Sequence, residues 1–121
     1  MCPIDLGAAD GVHSDLLTMH DEIRPTCVVL RVTGELDLNT VGLFQAAADA
    51  ACRNGGSKEL VVDISGVTFC DVAGLRGLID ARQSARSIGW TLTYSGPTPF
   101  VRRLAKLVGL QDTLGLTASS G

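Results

Sequence analysis

The stretch LVVDI at residues 60–64 constrains this chain more than any other segment. It is short, apolar and rich in β-branched side chains, which predicts a strand buried on both faces. Strands of that kind occur in sheets whose parallel neighbours are joined by crossover helices. The flanking sequence supplies them. VGLFQAAADAAC, up to Cys52, places Val41, Phe44, Ala48 and Ala51 at helical spacing, with Asn39 or Thr40 as the cap and Asn54-Gly55-Gly56 as the stop. A second helix is expected from Val72 to Ser87, with Leu75, Leu78, Ile79 and Ala85 inward, closed by Gly89. A third begins at Thr98 as cap and Pro99 at the first helical position, with Val101, Leu104, Leu107 and Val108 facing inward and Gly109 at its end.

The other strands are weaker signals. LLTMH (16–20) reads as a short first strand, followed by a turn at DEIRPT with Pro25 as breaker. TCVVLRVTG (26–34) alternates, with Val28, Leu30 and Val32 on one side and Cys27, Val29, Arg31 and Thr33 on the other, closed by Gly34. WTLTY (90–94) alternates in the same way, and a final strand or turn is expected near Thr113–Leu116. SGVTFCD is read as the loop joining LVVDI to the second helix. The order β-β-α-β-α-β-α implies an α/β fold: a mixed, mainly parallel sheet of four or five strands with three or four helices. Residues 15–116 form the expected domain, preceded by a flexible leader at 1–14 and followed by a tail at 117–121.

A chain of 121 residues suits one domain, and 45% hydrophobic residues suffice for a core. Only five residues are Phe, Trp or Tyr, so that core must be aliphatic. A net charge of −3, with no basic, aromatic-interleaved segment, argues against nucleic-acid binding. No apolar run has the length of a membrane span, and no signal peptide is visible. Cys2, Cys27, Cys52 and Cys70 are scattered, with no C-x-x-C pair, which points to a reducing cytoplasm and buried thiols. His13 and His20 lack the companions a metal site needs. There is no nucleophile elbow and no phosphate loop, so neither enzymatic activity nor a cofactor is expected.

In parallel sheets the working loops lie beyond the carboxyl ends of the strands. Topology alone therefore brings GELDLNT, SGVTFCDVAG and SGPTP together, and with them Asp37, Asn39 and Thr40 near Asp71, Val72 and Ala73. Asp71 reads as a helix N-cap. Cys70, next to that helix start, has two readings: a small buried apolar residue, or a reactive thiol of lowered pKa open to redox control. Arg76, Arg82, Arg86, Arg102, Arg103 and Lys106 put positive charge on the second and third helices. Such charges read first as a solvated face, with an acidic partner surface as the alternative.

VTGELDLNT after one strand, LVVDISGVTFCDVAGLRGL and GPTPFVRRLAKLVGL together resemble the STAS domain of bacterial anti-sigma factor antagonists. The combination of GELD with D-[IL]-S-G-x-x-F-x-D-x-x-G-L carries most of that resemblance, which spans roughly residues 15–116. It implies a non-catalytic switch that binds an anti-sigma factor of the kinase type and so releases the sigma factor. Asp37, Asn39, Thr40, Asp71, Val72, Ala73 and Gly74 would form the partner-binding face. The resemblance also implies a phosphoacceptor serine or threonine immediately after the junction aspartate. Here that position is Val72, followed by Ala73, so the usual phosphorylation switch is expected to be missing there. The alternative implied is a STAS accessory subunit of a transporter or of a stress-sensing assembly. Oligomeric state does not follow from either.

Overall fold

The structure is a computed structural model that describes residues 16–54 and 56–116. The expected leader with Cys2 and His13, Gly55 of the first helix's stop, and the tail at 117–121 lie outside the described residues. Along the chain run β1 (Leu17–Ile23), β2 (Val28–Leu36), α1 (Val41–Asn54), β3 (Glu59–Cys70), α2 (Val72–Ser87), β4 (Thr91–Ser95), α3 (Pro99–Leu107) and α4 (Gln111–Leu114). The four strands form one sheet in the order β1-β2-β3-β4. β1 pairs antiparallel with β2, and β2–β3 and β3–β4 are parallel, which is the mixed, mainly parallel sheet the alternation implied.

One core holds the layers together. Val28, Leu30 and Val32 of β2, Leu60, Val62 and Ile64 of β3 and Leu92 of β4 meet Phe44, Ala48 and Ala51 of α1 and Leu75, Leu78, Ala81 and Ala85 of α2. Removing these aliphatic faces from water is the main favourable term in folding. The opposite face of the sheet carries exposed Arg31, Thr33, Thr91 and Thr93, with Val61 and Asp63 half-buried. LVVDI is thus buried on one face and partly covered on the other, contrary to the expectation of two buried faces. The buried residues of all four helices belong to the same core cluster as one face of the strands. Tyr94 ties layer to layer, its hydroxyl donating to the Leu78 carbonyl at 2.7 Å.

Several features differ from expectation for tertiary reasons. β1 does not stop at His20: Asp21, Glu22 and Ile23 pair with Leu30, Val29 and Val28 of β2, so the turn expected over DEIRPT is confined to the residues after Ile23. Gly34 does not end β2. It takes φ +118° at a register shift, where the backbone of Leu16 lies against its α-carbon with no room for a side chain, and the strand continues to Leu36. Once β2 continues, SGVTFC has a partner: Gly34 faces Val67, Glu35 faces Phe69 and Leu36 faces Cys70. The expected loop is therefore the second half of β3. In α3, Val101 and Ala105 point inward, Leu104 is half-buried, and Leu107 and Val108 are exposed. A nine-residue helix leaning on the sheet end buries only the Val101–Ala105 line, four residues apart. The last segment is not a strand but the short helix α4, ended by Gly115 at φ +74°. Leu114 and, just past the helix, Leu116 fill the core, and Arg82 and Arg102 donate to the carbonyls of Thr113 (2.7 Å) and Leu116 (3.2 Å).

Candidate partner-binding site

β1 reaches only as far as the partner of Gly34, and β4 only as far as the partner of Asp63. The last pairs of β2 and β3, Glu35–Phe69 and Leu36–Cys70, therefore extend beyond both edge strands. The candidate site sits on the two turns that leave this two-stranded end.

The turn after β2 is built by Asp37 and Thr40. The Asp37 carboxylate accepts from the backbone N–H of Asn39 (2.9 Å) and of Thr40 (3.1 Å). The Thr40 hydroxyl accepts from the Asp37 N–H (3.0 Å) and donates to the Glu35 carbonyl (2.7 Å). Thr40 precedes α1, and its carbonyl accepts from Leu43 and Phe44. Its side chain, however, turns back to hold the loop and is fully buried. Thr40 is a scaffold of the turn, and Asn39 and Leu38 are its exposed tip.

The turn after β3 is a single residue. Asp71 caps α2, its carboxylate accepting from the Gly74 N–H at 2.8 Å. Its own N–H donates to the Leu36 carbonyl at 3.3 Å, which joins the two turns through the backbone. The expected meeting of the 37–40 and 69–75 segments is thus present in the fold. Of the residues expected there, Val72 is exposed, Asp37, Asp71 and Ala73 are half-buried, and Gly74 is buried against Leu36.

Cys70 faces the interior with 1% of its surface exposed, and its thiol donates to the Asp71 carbonyl at 3.4 Å. Burial first, and then the nearby carboxylates of Asp71 and Asp37, push its pKa up to about 12. A reactive thiolate requires the opposite shift. The environment of Cys70 is that of a packed core residue, which corrects the lowered-pKa reading.

Two members of this surface were not legible in the sequence. Phe69 is exposed and stacks on Phe100, the second residue of α3, with ring centroids 6.0 Å apart. Leu38 is 73% exposed at the tip of the neighbouring turn. In a chain with five aromatic residues, two lie stacked on the surface at the carboxyl end of the sheet. The only hint was the place of Phe69 beside the junction and of Phe100 in the third converging loop. Among the described residues no group of three His, Cys, Asp or Glu side chains is arranged to hold a metal ion. No helix there is long and apolar enough to cross a membrane.

Fold and surface together define a single two-layer α/β domain whose distinctive end is a loop pair with Leu38, Phe69 and Val72 exposed beside half-buried Asp37 and Asp71. The family model described as "Mlab, STAS domain" matches residues 19–117, and the chain belongs to the STAS domain family. An anti-sigma F factor antagonist of Lysinibacillus sphaericus is 25% identical over 83 residues, covering 69% of this chain and 71% of the relative. The crystal structure of an anti-sigma factor antagonist from Mycobacterium paratuberculosis superposes with a TM-score of 0.64 at 29% identity, covering 83% of this chain and 84% of that one. The murine Solute Carrier 26 family member A9 anion transporter contains a similar fold. It matches at 16% identity and TM-score 0.64 over 79% of this chain and 18% of the transporter.

Proposed function

We propose that this protein is an anti-sigma factor antagonist that binds an anti-sigma factor of the kinase type and thereby releases the sigma factor held by it. The names of its relatives support the general role. The observation that carries the reading is the backbone link from Asp71 to Leu36, which fuses the two segments implied by the resemblance into one surface with Val72, Leu38 and Phe69 outward. No acid–base pair or nucleophile stands among those outward residues, so the reading is a binding protein and not an enzyme.

The first turn of α2 sets the regulation. A helix N-terminus favours an added phosphate, but Val72 and Ala73 have no hydroxyl to carry one. Ser65 and Thr68 do, and both lie within β3 and not at the helix start. The surface then stays in its uncharged state in the presence of ATP.

Calorimetric titration with the anti-sigma kinases of the same genome tests this. A micromolar or tighter complex is expected with one of them, unchanged by ATP, and Val72→Ser is expected to make binding ATP-sensitive. Absence of binding to all of them overturns the reading. Phosphate on Ser65 or Thr68 overturns the regulatory half.

A second reading, a STAS accessory subunit of a transporter or a stress-sensing assembly, is favoured by the same hydroxyl-free junction and by the transporter likeness in fold. Transporter genes beside this one, with no anti-sigma kinase or sigma factor there, would select it.

A further inference from the structure

We propose that the outer ridge of α3, formed by Phe100 and Leu107 and flanked by Arg103 and Lys106, docks an acidic amphipathic helix of the anti-sigma factor. The inference rests on the function proposed above and extends its contact surface onto a third element.

The ridge follows from helical geometry. Phe100 and Leu107 are seven residues apart, about two turns, so they share one line along the helix. Leu104 lies between them at the boundary with the core. The apolar sector of α3 is therefore wider than the strip the sheet covers, because Val101 and Ala105 already occupy the inward line. Leu107 is left 75% exposed and Phe100 43% exposed. An isolated exposed leucine needs no explanation, but these residues form a line that continues into another apolar surface. Phe100 stacks on Phe69, two residues before Asp71, so the ridge begins beside the junction of the candidate site and leads away from it along α3. From Phe100 to Leu107 it extends about 10 Å, enough to seat two turns of a partner helix.

Charge defines the partner. α3 contains no acidic residue, and Arg103, three residues after Phe100 and four before Leu107, borders the ridge. Lys106, three residues after Arg103, adds a second cation on the same side of the helix. Neither basic side chain forms an ion pair with another described residue, although the chain as a whole carries a net charge of −3. An apolar line edged by cations that pair with no described carboxylate complements a helix with leucine-like side chains on one face and carboxylates beside them.

The test titrates the anti-sigma factor into the wild type, Leu107→Ser, the double variant Arg103→Glu/Lys106→Glu, and Val72→Asp. All the replaced side chains are exposed, so far-UV circular dichroism and Tm should match the wild type. Leu107→Ser is expected to weaken binding about tenfold. The double charge reversal should weaken it at least as much and flatten its salt dependence. If both α3 variants bind like the wild type while Val72→Asp weakens binding, the ridge is overturned and the proposed function stands. If the wild type binds no anti-sigma factor, the function falls and the ridge with it. If sedimentation shows a dimer that Leu107→Ser dissociates, with partner affinity unchanged, a second copy of this chain covers the ridge and the proposal fails.

Discussion

Gly74 packs its α-carbon directly against the carbonyl of Leu36, with no room for a β-carbon between the first turn of α2 and the end of β2. The Leu36 carbonyl cannot retreat freely, because it also accepts from the Asp71 N–H at 3.3 Å, and the Cys70 sulfur closes the other side 3.0 Å from where the β-carbon would stand. Helix and strand are thus held in contact at the centre of the proposed binding face.

Gly74→Ala should therefore destabilise the protein, although alanine is the better helix former. The propensity gain is about 1 kcal/mol at most, whereas overpacking against fixed backbone typically costs about 1–3 kcal/mol and shifts the backbone. Thermal unfolding should show a lower Tm, and affinity for the anti-sigma factor should fall with it. An unchanged or higher Tm would mean that the two turns are free to separate.

Asp71→Ala should cost about 1 kcal/mol through loss of the cap on the Gly74 N–H, while Asp71→Asn should retain most of that stability. Urea unfolding measures both. If Asn lowers stability as much as Ala, the negative charge, and not the cap hydrogen bond, is the stabilising feature.

Thr40→Val removes a hydroxyl that serves both the Glu35 carbonyl and the Asp37 N–H. Leaving those groups without their partner should cost about 1–3 kcal/mol, and Thr40→Ser should cost less because it keeps the hydroxyl. The denaturant midpoint distinguishes them. A loss in Thr40→Ser with none in Thr40→Val would instead assign the effect to the buried methyl group.

The Cys70 thiol should resist labelling by disulfide reagents at pH 8 until the protein unfolds, whereas half-buried Cys27 reacts sooner. Its pH dependence has a definite sign. The folded thiol holds its proton to about pH 12, against about 9.0 for an unburied thiol, so the unfolded state ionises first as pH rises. The stability contribution is complete below about pH 9 and is lost progressively towards pH 12. Tyr94, whose buried hydroxyl is also shifted upward, acts in the same direction. The urea midpoint should decline above pH 9, and less steeply in Cys70→Ala. Rapid native labelling of Cys70 would show that the core opens there.

Where a boundary depends on local chemistry, it could be read from residues alone. Asp71 caps α2 at the expected residue, and Thr98 with Pro99 opens α3 in the same way. Caps and helical proline act within one turn of chain, so their partners are sequence neighbours. Where a boundary depends on a distant partner, it could not. The second half of β3 resembles a loop until β2 continues past Gly34 to pair with it. Leu107 and Val108 read as inward residues beside Val101 until the core takes up the Val101–Ala105 line of α3 and leaves them exposed.

The sequence by itself determined the alternation of strands and helices, the mixed sheet, the helix starts and the placing of the 37–40 and 71–74 turns at one end of the sheet, because hydrophobic period, cap chemistry and chain connectivity can be read along the chain. Only the tertiary structure decided which of those site residues face outward. Thr40 turned inward to hold its own loop, and Cys70 sank into the core with its proton held. Phe69, Phe100 and Leu38 were left on the surface instead. Burial depends on which faces the assembled layers cover, and that is a relation between residues far apart in the chain.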